Sequence, residues 1–372
     1  MKNYLFAVGI IFCSFPLASQ TEGTVEMNDV VRLHARREIL IPDIPGFKTL
    51  KCDFHLHTVF SDGVVWPTVR VSEAWENGLD AIAITDHIEG HPKKLPGQKR
   101  TQFDVALPLA QSSDIILVRG GEISRGMPPG HFNALFIKDV DALDLPDYMD
   151  ALAEAIKQGG FILWNHPGWR AQQPDTTKWM KEHEAIYKEG WMHGIEVFNE
   201  KEWYPEAIRW AMEKNLAVMA NSDVHNFYEY YYDVQKYPVR PITLVFTKER
   251  TEESLKEAMF AKRTAALFFD KLVGRKEFIG PIVKQSVIVY PSHSYQDGYA
   301  FFTVKNLTDI GFTFIKKGSD KSELPDRFYL PRRSSVILKA KKPRGTTQSY
   351  NYILENVLTG VEQYFPYEIT VR

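Results

Sequence analysis

The sequence predicts an α/β barrel of about seven strands, followed by a small C-terminal all-β sandwich domain. From about Phe47, apolar runs typical of buried strands alternate with helical segments, which indicates a parallel sheet. His, Asp and Glu residues recur where these runs stop, as catalytic residues do at the C-terminal ends of barrel strands. After about Gly280, short alternating runs separated by turn residues replace this rhythm and are typical of a β-sandwich.

Length and composition favour a globular protein with two domains. The chain has 372 residues, of which 44% are apolar and 25% are charged. Its 45 Lys and Arg residues nearly balance its 47 Asp and Glu residues. This balance gives no reason to expect a nucleic-acid polymer as a partner, and the sequence predicts no oligomeric state.

Residues 1–19 have the pattern of a secretory signal peptide. Lys2 gives a positive start, an apolar segment spans residues 4–15, and small residues precede Gln20. The apolar segment is too short to cross a membrane as a helix of the mature chain. We therefore expect cleavage near Gln20 and export, to the periplasm, of a chain without a transmembrane span.

The two cysteines bear on anchoring and redox state. Cys13 raises the alternative of a lipoprotein anchor, which the bulky Phe12 before it disfavours. If the signal peptide is removed, Cys52 is the one remaining cysteine, so no intramolecular disulfide is expected. Its place within an apolar run predicts a small buried hydrophobic residue.

Residues 20–46 are predicted to form an N-terminal arm, and residues 47–280 the barrel domain. The predicted strands are the apolar runs 47–54, 81–84, 115–118, 132–137, 161–164, 194–198, 216–220 and 242–246. The predicted helices, with apolar residues at helical spacing, are 67–77, 147–157, 177–189, 205–214 and 252–262. Residues 281–372 are predicted to form the sandwich, with strands 286–290, 299–304, 312–315, 335–338 and 364–371.

The first strand ends in a possible metal-ligand motif. Residues i and i+2 of a strand point to the same face, so His55 and His57 project together. Asp62 follows in the next loop, beside the turn-forming Gly63. Two imidazoles and a carboxylate within eight positions suit a transition metal, although a structural histidine pair explains the short motif equally well.

Further residues of the same chemistry follow the later strands, which favours one metal cluster over scattered structural histidines. They are His87, Glu122, His131, His166, Asp223 and His225. Mixed imidazole and carboxylate ligands suit Zn, Mn or Fe better than Ca or Mg. Asp86, directly before His87, is interpreted as a hydrogen-bond acceptor or proton relay behind the ligands.

The ordered set His-x-His, Asp, Asp-His, Glu, His, His-Pro, Asp-x-His resembles the PHP (polymerase and histidinol phosphatase) domain family, from about Lys51 to His225. The resemblance implies a distorted seven-stranded (β/α) barrel that hydrolyses phosphoesters with up to three divalent metal ions. Its nine implied ligands are His55, His57, Asp62, His87, Glu122, His131, His166, Asp223 and His225. Many members have a histidine where this chain has Asp62.

The resemblance also implies how the ligands are shared. His55, His57, Glu122 and Asp223 would hold one metal; Glu122, His131 and His166 a second; and Asp62, His87 and His225 the third. Closely spaced ions bind phosphate oxygens and lower the pKa of bound water from ~15.7 to about 7. The expected reaction is hydrolysis of a small phosphomonoester or phosphodiester by metal-bound hydroxide, without a covalent intermediate.

Four residues near the ligands are candidates for contacting this phosphorylated substrate. Arg125 and Arg170 each follow a ligand closely and could bind phosphate in a bidentate manner. Pairing of either arginine with a surface carboxylate is an equal alternative. His91 and Lys93 lie in the loop after His87, where barrels often place functional residues. The predicted catalytic residues are Asp86, Glu122 and Arg170.

Two other functions stay open from the sequence. A metal-dependent amide or lactone hydrolase of a related barrel usually carries a carboxylated strand-end lysine, and no lysine here fits that position. A non-catalytic module would use metals for stability and its β domain to bind a glycan or another surface polymer. The predicted export disfavours proofreading of DNA synthesis and cytoplasmic histidinol phosphate hydrolysis.

Overall fold

The structure is a computed structural model, which describes residues 35–89, 100–233, 236–237, 239–318 and 322–372. Residues Arg36–Arg372 form one compact unit. The predicted signal peptide, most of the predicted arm, His91 and Lys93 lie outside the described residues. The described part contains no helix with the length and apolar character that crossing a membrane requires.

Within these ranges the chain forms nineteen strands and seven α-helices. The helices are α1 (Pro67–Glu76), α2 (Gln102–Ser112), α3 (Tyr148–Lys157), α4 (Lys181–Lys188), α5 (Pro205–Glu213), α6 (Glu252–Phe260) and α7 (Lys276–Ser286). The strands up to α7 are β1 (Lys48–Asp53), β2 (Ala81–Ile84), β3 (Ile116–Ile123), β4 (Phe132–Leu135), β5 (Phe161–Trp164), β6 (Gly194–Asn199), β7 (Glu202–Trp203), β8 (Ala217–Asn221), β9 (Ile242–Thr247), β10 (Thr264–Phe268) and β11 (Lys271–Gly274). The later strands are β12 (Val287–Val289), β13 (Ser294–Gln296), β14 (Tyr299–Asn306), β15 (Phe312–Lys316), β16 (Arg327–Leu330), β17 (Ser335–Lys341), β18 (Gln348–Gly360) and β19 (Gln363–Val371).

The fold is mixed α/β, built on one large sheet. Its strands β1, β2, β3, β4, β5, β6 and β8 are neighbours in this order, and the pairs β1–β2, β2–β3, β5–β6 and β6–β8 are parallel. The segment after β8 returns to the segment after β1, where Leu56 and Val224 form a parallel bridge. This arrangement brings the ends of the first and last strands of the series together.

The predicted strands of the first 250 residues match observed strands, with shifted ends. β3 extends five residues beyond the predicted run, so Glu122 lies within the strand and not after it. The helix predicted at 177–189 is wrong at its start, because α4 begins at Lys181. The prediction lacked α2 and α7, which contain Pro108 and Pro281. Proline inside a segment argues against a helix, so both were difficult to predict.

The C-terminal strands belong to two sheets. Strands β12, β13, β14 and β17 form an antiparallel four-stranded sheet, whereas β15, β16, β18 and β19 continue the large sheet. The connection is the parallel pair β11–β18, with Leu272 opposite Val357. The boundary predicted after Gly280 falls inside α7, and one buried apolar cluster includes Ile279 and Phe314 from its two sides. A separate sandwich domain at 281–372 stays a prediction.

Candidate metal centre

The strand ends bring all nine predicted ligands into one place. His55 and His57 follow β1, Glu122 lies near the end of β3, and Asp223 follows β8. The potential ligand atoms lie within 4.8 Å of one another in four overlapping groups. These groups are His57/Asp62/His87/His225, His55/His57/Asp223, His55/Glu122/His166 and His87/Glu122/His131.

Glu122 is fully buried at the middle of this cluster. Ring nitrogens of five histidines lie 2.6 to 3.7 Å from its two oxygens, those of His87, His131, His55, His166 and His57. Burial alone would raise the pKa of Glu122, but the surrounding histidines hold it well below its usual value. A charged carboxylate with ligands on both sides has the position that a bridge between two cations requires.

The buried atoms of the cluster fit a metal ion. Nε2 of His55 and Nε2 of His57 lie 3.1 and 3.0 Å from Oδ1 of Asp223. All three atoms are buried, and their geometry gives none of them a hydrogen-bond partner within the described structure. Buried polar atoms are nearly always paired, so three that converge unpaired are best explained by a cation between them.

Protonation of the cluster differs from ring to ring. Burial and the adjacent His225 lower the pKa of His57 to about 3, which leaves its ring neutral. Burial also opposes charge on His87, but the neighbouring Glu122 and Asp62 raise its pKa to about 11. A metal that binds through His87 must therefore displace a proton, whereas His57 needs no deprotonation.

Two ligands have backbone conformations that L-residues rarely adopt. His166 has φ +26° and Asp223 has φ +51°. Buried hydrogen bonds hold both: the His166 amide donates to Oε2 of Glu196 (2.7 Å), and the Asp223 amide donates to the His55 carbonyl (2.9 Å). Strain of this kind is typical of functional sites, where surrounding contacts keep a costly geometry.

Glu196, in the middle of β6, is a functional residue that the sequence prediction missed. Its Oε1 lies 3.1 Å from Nδ1 of His55 and accepts from Nδ2 of Asn221 (2.8 Å). Its Oε2 accepts from the His166 amide (2.7 Å) and from Nδ2 of Asn199 (2.8 Å). A carboxylate on Nδ1 orients the ring and leaves Nε2 free to face a metal. The available signal was a single charge within the apolar run 194–198, because charges are rarely buried without a partner.

Two buried arginines, also missed, hold the loops that carry ligands. Arg70 of α1 donates from Nε to the His57 carbonyl and from Nη2 to the Val224 carbonyl, both at 2.9 Å. Arg240 donates from Nη2 to Oδ2 of Asp53 (2.6 Å) and to Oγ of Ser222 (2.8 Å). Ser222 directly precedes Asp223, so the Asp53–Arg240 pair fixes the chain next to a ligand.

Asp86 lies beneath the cluster and does not line its pocket. It accepts hydrogen bonds from the Thr58 amide (2.6 Å), the Thr58 hydroxyl (2.7 Å) and the Ser61 hydroxyl (2.7 Å). Ser61 Oγ lies 3.4 Å from Nδ1 of His57. Asp86 therefore holds the loop that leads to Asp62, as expected of the predicted acceptor behind the ligands, and its role as a proton relay stays a prediction.

The predicted arginine contacts are not found in the pocket around the ligands, which has a volume of about 200 Å³. Arg125 forms an ion pair with Glu89 and donates from Nη2 to the Leu145 carbonyl (2.8 Å). The side chain of Arg170 is 87% exposed and lies 3.9 Å from Glu202 in a neighbouring cleft. Among the described residues, neither Lys nor Arg lines the metal pocket. Its rim is formed by Trp169, Tyr231, Glu200 and Glu202.

The fold and this site define a metal-binding α/β protein of the PHP type, and a comparison with solved structures agrees. A two-domain protein from Bacteroides vulgatus ATCC 8482, described as containing a predicted PHP-like metal-dependent phosphoesterase, is 41% identical to this chain. The match covers 91% of this chain and 100% of that one, with a TM-score of 0.86. The chain therefore belongs to this PHP-like family.

Two further solved structures are more distant. One is a candidate metal-dependent phosphoesterase from Bifidobacterium adolescentis ATCC 15703, with 17% identity, coverage of 47% of this chain and 87% of that one, and a TM-score of 0.39. The other is an amidohydrolase from Chromobacterium violaceum with bound sulfate and no metal, with 16% identity, coverage of 48% and 88%, and a TM-score of 0.36. No protein-family model and no curated protein matches the sequence.

Proposed function

We propose that the chain is a metal-dependent phosphoesterase that hydrolyses a small phosphomonoester or phosphodiester. The observation that carries this proposal is the set of four overlapping ligand groups in one pocket, with Glu122 shared between two of them. Shared ligands at these separations suit two or three closely spaced divalent ions, for which Zn, Mn and Fe are the candidates.

The chain's own residues would hold and orient these ions. Asp62, His87 and His225 would hold one ion; His55, His57 and Asp223 another; and His131 and His166 a third, with Glu122 as the bridge. When bound, the ions would supply positive charge to phosphate oxygens and would activate a water molecule. Glu196 would keep the His55 ring oriented, and Asp86 would keep the Asp62 loop in place.

The size of the pocket supports a phosphate group as the part that enters it. About 200 Å³ accommodates ions and a phosphate but not a drug-sized molecule. The alcohol part of the ester would then contact the rim, where Trp169 and Tyr231 offer aromatic surface. Among the described lining residues there is no lysine, which disfavours the amide or lactone hydrolase that uses a carboxylated lysine.

Three finer features belong to the same proposal. The seven strands β1–β6 and β8 would form a distorted barrel, which the bridge between Leu56 and Val224 supports. Residues 281–372 would form a sandwich domain beside it. The signal-like residues 1–19 support export to the periplasm as the cellular setting.

A screen of the metal-reconstituted protein tests the proposal. The full chain, loaded separately with Zn, Mn or Fe, is assayed against phosphomonoesters, phosphodiesters and lactones. We expect phosphoester hydrolysis that a chelator abolishes and that the metal restores. Lactone hydrolysis without phosphoester hydrolysis would favour the related-barrel alternative. Full metal loading without any turnover would favour the non-catalytic module.

A further inference from the structure

A second cavity, of about 640 Å³, lies where β7, the β10–β11 turn and the C-terminal strands meet. Its volume is within the range of small-molecule sites and is three times that of the metal pocket. Aromatic side chains line it from the chain before α7, among them Trp203 and Phe269, and from the chain after α7, among them Tyr329 and Tyr364. Tyr329 and Tyr364 are 47% and 39% exposed, so their rings are open to a ligand.

The turns around this cleft are strained. Phe268 pairs with Lys271, so Phe269 and Asp270 form a two-residue turn, with φ +43° and +68°. Such a turn strongly prefers Asn-Gly or Asp-Gly, and a phenylalanine with positive φ at its first position is unusual. Glu362, in the β18–β19 turn, also has positive φ, at +55°. Residues in rare backbone conformations cluster at ligand sites, and here three of them line one cavity.

The strained turn holds one wall of the cleft in place. Oδ2 of Asp270 accepts from the Tyr329 hydroxyl at 3.0 Å. Its Oδ1 accepts from the Gly311 amide (3.0 Å) and from Nε of Arg332 (2.7 Å). The Tyr329 ring is therefore anchored at its hydroxyl while its face stays exposed, which lowers the entropy cost of binding against it.

The charges of the cleft indicate what it binds. Three carboxylates line it in the described part of the chain, but Asp270 pairs with Arg332 and Glu355 with Arg327. Because Lys271 also lines the cleft, its charge is close to neutral. A near-neutral lining, without a cluster of unpaired cations among the described residues, disfavours nucleic acid and other anionic polymers. Carboxylates accept hydrogen bonds from hydroxyl groups, and aromatic rings pack against the C–H faces of sugar rings. Both kinds of surface are present in one cleft.

We propose that this cleft binds a neutral carbohydrate chain of a few sugar units. The binding site is distinct from the metal centre, and its occupancy does not depend on catalysis. Strand β7 connects the two sites: Trp203 lines this cleft and the neighbouring one of about 720 Å³, and Glu202 lines that neighbour and the metal pocket. A phosphate carried on the bound sugar would be directed towards the metals, a consequence that rests on the proposed function.

Calorimetric titration of the full chain tests the binding itself. The probes are neutral tetrasaccharides of glucose, xylose and mannose, with a galacturonic acid tetramer as the anionic probe. Both metal-loaded and chelator-treated proteins are titrated, so that failure of the phosphoesterase proposal cannot be mistaken for failure of this one. At least one neutral tetrasaccharide should bind both forms, and the anionic probe should bind more weakly.

Variants locate the site. Tyr364→Ala removes an exposed ring and should weaken binding by about tenfold, whereas Tyr364→Phe keeps the ring and should bind as the wild type does. Tyr290→Ala is the matched control, because Tyr290 is 42% exposed and does not line the cleft.

If Tyr364→Ala does not fold, Tyr329→Phe provides the test, since it frees the ring from Asp270 and should weaken binding. Absence of neutral binding, tighter anionic binding or equal effects of Tyr364→Ala and Tyr290→Ala would overturn the proposal.

Discussion

Replacing Glu196 with glutamine removes one buried charge and changes almost no volume. Each Glu196 oxygen accepts from an amide donor, Oε1 from Asn221 and Oε2 from Asn199 and the His166 backbone. Glutamine keeps one acceptor oxygen, so its NH₂ group must face a donor on one side. Asn221 cannot simply rotate its amide, because its Oδ1 already accepts from the Phe54 amide at 2.9 Å.

The consequence for His55 can be derived from these contacts. If the new NH₂ group replaces Oε1, Nδ1 of His55 must accept a hydrogen bond, and the ring proton moves to Nε2. Nε2 then carries hydrogen at the position that faces Asp223 and cannot bind a metal. Loss of a residue that orients a ligand typically lowers metal affinity by about 10- to 100-fold, or about 1.4–2.8 kcal/mol.

Competition titration with a fluorescent chelator measures this change in metal affinity. Glu202→Gln is the matched control, since Glu202 lines the same pocket but accepts from the Tyr204 hydroxyl at 2.8 Å. We expect Glu196→Gln to bind its weakest-held ion about 10- to 100-fold less tightly and the control to be unchanged. Wild-type metal affinity in a folded Glu196→Gln chain would show that His55 does not need the Glu196 carboxylate to bind a metal.

Three other outcomes are expected. Glu122→Gln should be the most damaging single change at the site, because it removes a charge that five histidines share; near-normal turnover would disprove the bridge. A chain ending at Gly280 should be insoluble or should unfold at a lower temperature than the full chain, because β11 loses its partner β18. An equal unfolding temperature would show that residues 281–372 form a separable domain. Burial lowers the pKa of His183 to about 4, so its stabilisation is complete above pH 6.5 and decreases as pH falls towards 4. His183→Gln should therefore reduce the slope of unfolding free energy against pH in this window by about 1.4 kcal/mol per unit in urea titrations, and an unchanged slope would contradict it.

The convergence of the nine candidate ligands was predictable because strand periodicity places them near strand ends, whereas their sharing among metal ions stays a prediction. A run such as Phe161–Trp164 indicates a buried strand, and the parallel order brings His166 to the same end of the sheet as His55 and His87. The supports of these ligands were not predictable in the same way. Arg240 contacts Asp53 across 187 residues, and no local pattern encodes a pairing at that distance.

The C-terminal region shows a second reason why part of the fold could not be predicted from the sequence. Its short alternating runs indicated strands, but alternation does not specify the partner of a strand. Strand β18 has thirteen residues and pairs with β11, β15 and β19 at different points, with register shifts along its pair with β19. The alternation of apolar and polar residues shows which face of a strand is buried but not which strands it pairs with. The pairing of β18 with β11, which joins the C-terminal strands to the large sheet, was therefore found only in the structure.

The charges in the candidate active site suggest that different residues bind the phosphate group and select the rest of the substrate. The described residues that line the metal pocket include no lysine or arginine, and the carboxylates of Glu200 and Glu202 lie on its rim. Under the proposed function, the carboxylates that line this pocket oppose binding of a phosphate group, so we expect the cations to bind before the substrate. The ligand set would then control whether phosphate is bound. The β6–β7 hairpin, which carries Glu200 and Glu202 next to the pocket and Trp203 next to the larger cleft, is then the element positioned to select the rest of the molecule.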